Sequence, residues 1–217
     1  MSFRLIVFDL DGTLVDSRQD ITESANATLV ACGAPPLPEE AIARMVGDGA
    51  PTLIARAFAA AGTDLPAGAL DRFLAIYDGR LLRHTRPYAG IPELLDQLAG
   101  RALLAVLTNK PLAAAQRILA GLDLSKYFPA DRVVGGDGPF RRKPDPAGLA
   151  YLMTSAGVSA DATAMVGDSV VDWRTAVAAA TGVVLARYGF GFESFPLESL
   201  NAGARVVDAP LEMLTYL

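Results

Sequence analysis

The 217-residue chain holds one cysteine and one histidine, and each scarcity removes a class of chemistry. Cys32 alone cannot form an intrachain disulfide. His84 lies in RHTRPYAG, a polar stretch broken by proline and glycine, and reads as a loop residue. Acid and base catalysis therefore falls to carboxylates or lysine. Positive charge is also in deficit: 19 Lys and Arg against 24 Asp and Glu leave a net charge of -5, with a pI near 4.9. Such a balance does not suit a nucleic-acid partner, which demands clustered cations to displace counterions. Long apolar runs are missing too. The one within Met1 to Leu10 is too short for a signal peptide or a bilayer span, so neither membrane nor export is expected and a cytoplasmic location is. No repeat of fixed period and no low-complexity tail occurs, and no feature specifies an oligomeric state.

What the chain does have is 52% apolar content, ample for a sizeable core. LIVFDL, ALLAVLTN, ATAMVGD and TGVVLAR are short apolar runs ending at polar or glycine positions, the pattern of buried parallel strands. Pro92 to Leu98, Leu112 to Leu122, Pro146 to Ala156 and Val170 to Ala180 read as helices, and the alternation is that of βαβ units. Residues 16–84 break it. There DITESANATLVACG, PEEAIARMVGDGAPTLIARAFAAAG and LDRFLAIYDGRLL are helix-periodic and separated by Gly and Pro. The expected plan is an α/β fold: a Rossmann-like parallel sheet flanked by helices (1–15 and 85–217), with an all-helical cap domain (16–84) inserted after the first strand.

Open parallel sheets bind ligands beyond the carboxyl ends of their strands. The residues that end these runs are therefore expected to meet: Asp9 and Asp11 of FDLDGTLVD, Thr108, Asn109 and Lys110, then Gly167, Asp168 and Ser169, with Lys143 of RRKPDP just ahead of a helix. Each also has a plain structural role. Asp11-Gly12 can form a turn, Ser169 and Asp172 a capping box, Pro111 the N1 position of a helix, and Lys143 a solvated charge. As a set they fit phosphoryl transfer through a carboxylate. On an extended chain Asp9 and Asp11 share one side while Leu10 turns into the core. One can attack while the other moves protons, and the division expected is Asp9 as nucleophile and Asp11 as acid/base. Gly12 permits a sharp turn beside the ligand. Two unit charges 4 Å apart at an effective dielectric of 20 interact by about 4 kcal/mol, so an anion attacking a phosphate dianion needs countercharge. Mg²⁺ held by Asp9, Asp168 and one further oxygen would supply it, with Lys143 as a second cation and Thr108 and Asn109 as donors to the phosphoryl oxygens.

DLDGT, LTNK, RRKPDP and GDSVVD resemble the four motifs of the haloacid dehalogenase superfamily of phosphohydrolases, and the resemblance covers nearly the whole chain. It implies Asp9 as nucleophile, Asp11 as general acid/base, Thr108 and Lys143 on the phosphoryl group, and Asp168 on Mg²⁺. It also implies the main-chain carbonyl of Asp11 as a third protein ligand and Asp172 as an orienting carboxylate nearby. The dehalogenase branch typically lacks the second aspartate, so Asp11 points to phosphate esters. MVGDGAPTLIARAF and VVGGDGPFRRKPDP are similar to segments of phosphoglycolate phosphatases. That similarity implies that Gly47, Asp48 and Gly49 meet a small phosphate monoester such as 2-phosphoglycolate, with hinges near Asp16 and from His84 to Gly90. Three functions stay open at this point: a phosphatase, whose ester could also be a hexose or amino-sugar phosphate; a phosphosugar mutase or transferase; and a non-catalytic phosphometabolite sensor. Thr13 after Gly12 resembles the hydrolases more than the mutases.

Overall fold

The computed structural model describes residues 3–200 and 203–217. The chain runs β1 (Leu5–Phe8), β2 (Val15–Asp16), α1 (Arg18–Ala31), α2 (Glu39–Ala43), α3 (Ala50–Ala60), α4 (Ala69–Asp78), β3 (Arg86–Pro87), α5 (Ile91–Leu98), β4 (Leu103–Leu107), α6 (Leu112–Gly121), β5 (Val133–Val134), α7 (Ala147–Ala156), β6 (Thr163–Gly167), α8 (Val170–Ala178), β7 (Gly182–Ala186) and β8 (Arg205–Val207). Six strands form one parallel sheet in the order β5-β4-β1-β6-β7-β8. No helix among the described residues is long and apolar enough to cross a membrane.

The two-residue period of a strand sorts the core into two layers. Ile6 and Phe8 of β1 join Leu104, Val106, Val166 and Val184 on one face, covered by Leu94, Leu95 and Leu98 of α5 and Ile118 and Leu119 of α6. Leu5 and Val7 join Ala105, Leu107, Met165 and Leu185 on the other, covered by Leu149 and Leu152 of α7 and Ala176 of α8. With both faces covered, the strands read as continuous apolar runs. The two outer strands β5 and β8 go beyond the sequence expectation, because two or three residues are too few to show a period. Helix boundaries also shift by one or two residues: α5 begins at Ile91, α6 ends at Gly121 and α7 begins at Ala147. Pro111 is the N-cap of α6 and not its first helical residue, and α8 stops at Ala178, ahead of Ala180, whose φ of 55° is left-handed.

Helices α1 to α4 fill the interval where the βαβ alternation lapses. Their apolar faces, including Leu29, Leu53, Phe58 and Phe73, continue the core layer that contains Phe8 and Val106. The chain leaves and re-enters this segment through the antiparallel pair β2 and β3, in which Val15 faces Pro87 and Asp16 faces Arg86. Fully buried Asp20 clamps the two crossings together. Its carboxylate accepts the backbone N–H groups of His84 at 3.0 Å and Thr85 at 2.8 Å, and the Thr85 hydroxyl at 2.7 Å. His84 sits in the loop its surroundings implied.

Candidate active site

β1 lies between β4 and β6, so successive connections leave it in opposite directions and open a crevice at the strand ends. Asp9 follows β1, Thr108 follows β4 and Asp168 follows β6. All three line one cavity of about 250 Å³, together with Asp11, Asn109 and Lys110 from the core and Gly47, Gly49 and Tyr77 from the helical segment. Leu10 is buried in the core, as the alternation along the strand demands. Gly12 turns the chain with φ of +88°, and a β-carbon there would lie 1.9 Å from Asp168 Oδ2. Close approach, as well as conformation, requires glycine at this point.

Asp9, Asp168 and Asp172 each offer an oxygen within 4.8 Å of the others, and all three are buried. Lys143 Nζ donates to Asp9 Oδ1 at 2.7 Å and to Asp172 Oδ1 at 2.6 Å, with 5% of the lysine exposed. The expected capping box is present: Ser169 Oγ accepts the Asp172 N–H while the Ser169 N–H and hydroxyl donate to Asp172 Oδ2. One interaction thus starts α8 and orients a site carboxylate. The Gly191 N–H holds Asp168 Oδ2 at 2.8 Å.

Burial pushes Asp9 up to about 7, Lys143 opposing and Asp172 and Asp11 adding to the rise. Burial also carries Asp168 well above the ordinary carboxylate range, reinforced by Asp172 and Asp9. Burial alone would lower Lys143, but Asp172 and Asp9 outweigh it and hold the ammonium above its usual value. Carboxylates this enclosed take up protons unless a cation replaces them. Four site carboxylates, Asp9, Asp11, Asp168 and Asp172, face two ammoniums, Lys110 and Lys143, which leaves two formal negative charges over. An all-oxygen donor set with that deficit fits a hard divalent cation.

Other side chains at the strand ends and in the helical segment have partners of their own. Asn109 donates its two amide hydrogens to Gly47 O at 2.8 Å and Lys143 O at 3.0 Å. Its side chain thereby ties the helical segment to the core and has no N–H left for a phosphoryl oxygen. Thr108 Oγ1 accepts the Lys110 N–H at 3.2 Å, which keeps its own proton for a ligand. The Asp11 carboxylate stands apart from the acidic trio, gripped by Lys110 Nζ at 2.9 Å to both oxygens and by the Ser17 hydroxyl at 2.5 Å. Asp48 pairs with Arg56 at 2.6 Å and is not among the residues lining the cavity, whereas its neighbours Gly47 and Gly49 are.

Tyr77 and Ser17 belong to the site without having been singled out, and Lys110, expected at the strand ends, had been given no role there. Lys110 carried a signal, its place in LTNK at a strand end. Tyr77 carried none, because an aromatic at helical spacing reads as core.

The sequence pattern described as haloacid dehalogenase-like hydrolase matches residues 6–186. The chain belongs to this family. It is similar to a phosphoglycolate phosphatase of Rhodospirillum rubrum, 46% identical over 208 residues covering 92% of this chain and 85% of that one. It is also similar to a phosphoglycolate phosphatase of Agrobacterium fabrum, at 37% identity over 94% of this chain and 88% of that one. Among solved structures, a protein of Haemophilus somnus described as a predicted phosphoglycolate phosphatase superposes with a TM-score of 0.91 at 30% identity, covering 100% of this chain and 98% of that one. The parallel sheet with flanking helices is thus a hydrolase fold shared along the whole chain.

Proposed function

We propose that this hydrolase cleaves small phosphate monoesters through an aspartyl-phosphate on Asp9, with Mg²⁺ as cofactor and 2-phosphoglycolate as the preferred substrate. The observation that carries the reading is the meeting of Asp9, Asp11, Thr108 and Asp168 around one cavity, with Lys143 on Asp9. In it, Asp9 attacks phosphorus while Asp11 protonates the departing alkoxide, and Asp11 then takes a proton from the water that releases phosphate. Thr108 and Lys143 donate to the phosphoryl oxygens as charge spreads over them. Mg²⁺, held by Asp9, Asp168 and the Asp11 main-chain carbonyl with Asp172 orienting them, supplies the countercharge that lets two anions approach. Helices α1 to α4, within residues 16–84, act as the cap, and Gly47 and Gly49 present backbone to the leaving group. The choice of 2-phosphoglycolate rests on the relatives' names.

The test is inorganic phosphate release from 2-phosphoglycolate and from hexose and amino-sugar phosphates, with Mg²⁺ or EDTA, alongside a check for isomerised sugar phosphate. The expected result is Mg²⁺-dependent release with kcat/KM for 2-phosphoglycolate at least about tenfold above the sugar esters, a difference of about 1.4 kcal/mol. Preference for a sugar ester would replace the substrate, and no release from any ester would overturn the activity.

A second prediction concerns the metal. Burial raises Asp9 to about 7 and carries Asp168 well above the ordinary carboxylate range in the folded chain, so their contribution to the metal-free fold is complete below pH 3.8 and is lost as pH climbs past their raised values, which for Asp9 is about 7. A cation that competes with those protons stabilises most where they are absent. Adding MgCl₂ should therefore raise Tm more at about pH 8 than at about pH 5. Asp168→Ala should lose most of that gain; an unchanged shift in the variant would remove Asp168 from the ligand set.

A further inference from the structure

Lys110 is 7% exposed, and its ammonium has three hydrogens with three partners: Asp11 Oδ1 and Oδ2, each at 2.9 Å, and Tyr77 Oη at 2.8 Å. Asp11 and Lys110 come from the core, at the ends of β1 and β4, whereas Tyr77 is on α4 of the helical segment. The Lys110 nitrogen also lies 4.7 Å from the Tyr77 ring centroid, and that ring stacks on Phe73 with centroids 5.6 Å apart. The phenol is therefore rigid, 5% exposed, and bonded to the group that grips the second aspartate. Without its hydroxyl, one ammonium hydrogen would have no acceptor in a buried pocket, and the lysine could rotate away from Asp11 to find one.

We propose that Tyr77 is a positioning residue for proton transfer: through Lys110 it sets the direction of the Asp11 carboxyl, so that Asp11 is aligned only when α4 rests on the core. This inference rests on the phosphatase reading of the same site. In the first half-reaction the bond from Asp9 oxygen to phosphorus forms, the bond from phosphorus to the ester oxygen breaks, and the Asp11 proton moves to that oxygen. In the second, water attacks phosphorus, its proton returns to Asp11, and Asp9 leaves as carboxylate. Misalignment of Asp11 harms the first half-reaction in proportion to the basicity of the leaving oxygen, because a stable phenolate departs without a proton.

The experiment compares wild type with Tyr77→Phe on phenyl phosphate and 4-nitrophenyl phosphate, esters of near-equal shape that the apolar wall of Leu53, Phe73 and Leu74 suits, and on 2-phosphoglycolate. Phenylalanine keeps the stack on Phe73, and an unchanged thermal melt confirms the fold. For Tyr77→Phe, kcat/KM should fall by about tenfold or more on phenyl phosphate and stay within about twofold on 4-nitrophenyl phosphate. On 2-phosphoglycolate the loss should lie in kcat, with KM within about threefold of wild type. If the wild type accepts no aryl ester, this kcat-against-KM split decides alone. In the Lys110→Met background, Tyr77→Phe should add less than about twofold, since the tyrosine acts through the lysine. Equal losses on both aryl esters, a loss confined to KM, or full additivity with Lys110→Met would overturn the proposal while leaving the phosphatase reading intact. A wild type that releases phosphate from none of the three esters ends both.

Discussion

Replacing Asp9 with asparagine is expected to abolish phosphate release, by at least about a thousandfold, as removal of a covalent nucleophile does elsewhere. The substitution is close to isosteric. The amide keeps an oxygen for Lys143, and Lys143 keeps Asp172, so the fold should survive and the melt should stay near that of wild type. Loss of activity therefore reports on chemistry and not on packing. The measurement is phosphate release from a preparation purified free of wild-type enzyme, with a quenched-flow search for phosphoryl-protein in the parent. Turnover within about tenfold of wild type in the folded variant would strip Asp9 of the nucleophile's role.

Lys143→Met is expected to be the most destabilising of the site substitutions. Methionine preserves the bulk of the side chain, but Asp9 and fully buried Asp172 both lose their cation. Breaking a buried pair in this way costs about 3–5 kcal/mol, because the remaining carboxylates are left largely buried without an opposite charge. Lys143 is also what restrains the rise of Asp9, so without it that carboxyl is driven higher and folding takes up a proton. The deficit should accordingly widen as pH rises from about 5 to about 8. Urea denaturation at both values measures it, and wild-type stability at the upper one would contradict the buried pairing. Phosphate release should fall in parallel, since the same ammonium pairs with Asp9, the proposed nucleophile.

Both substitutions act at positions visible in the linear chain, for reasons that are local. A run such as LIVF is a strand in most contexts, and a pair of aspartates two apart at its end must share a side. Ser169 and Asp172 announce the start of α8 through a bond spanning three residues. Asn109 and Asp48 show where such reasoning stops. Asn109 is at the strand end where a donor was expected, yet its amide is spent on two carbonyls, one of them 62 residues away at Gly47. Asp48 sits between two cavity-lining glycines, yet Arg56 on α3 draws its carboxylate aside.

The linear chain settles the helices of the βαβ core, the central strands and the inventory of reactive groups, because periodicity, turn chemistry and residue type operate over a few positions. Which cation serves which aspartate, and that Tyr77 closes the set, was decided by folding. Lys110 and Asp11 are 99 residues apart and meet at 2.9 Å, a juxtaposition created by strand order and by the packing of α4 on the core. Hydrogen bonds, including those within ion pairs, fall away within about an ångström, so their partners follow from positions in space that no local pattern encodes.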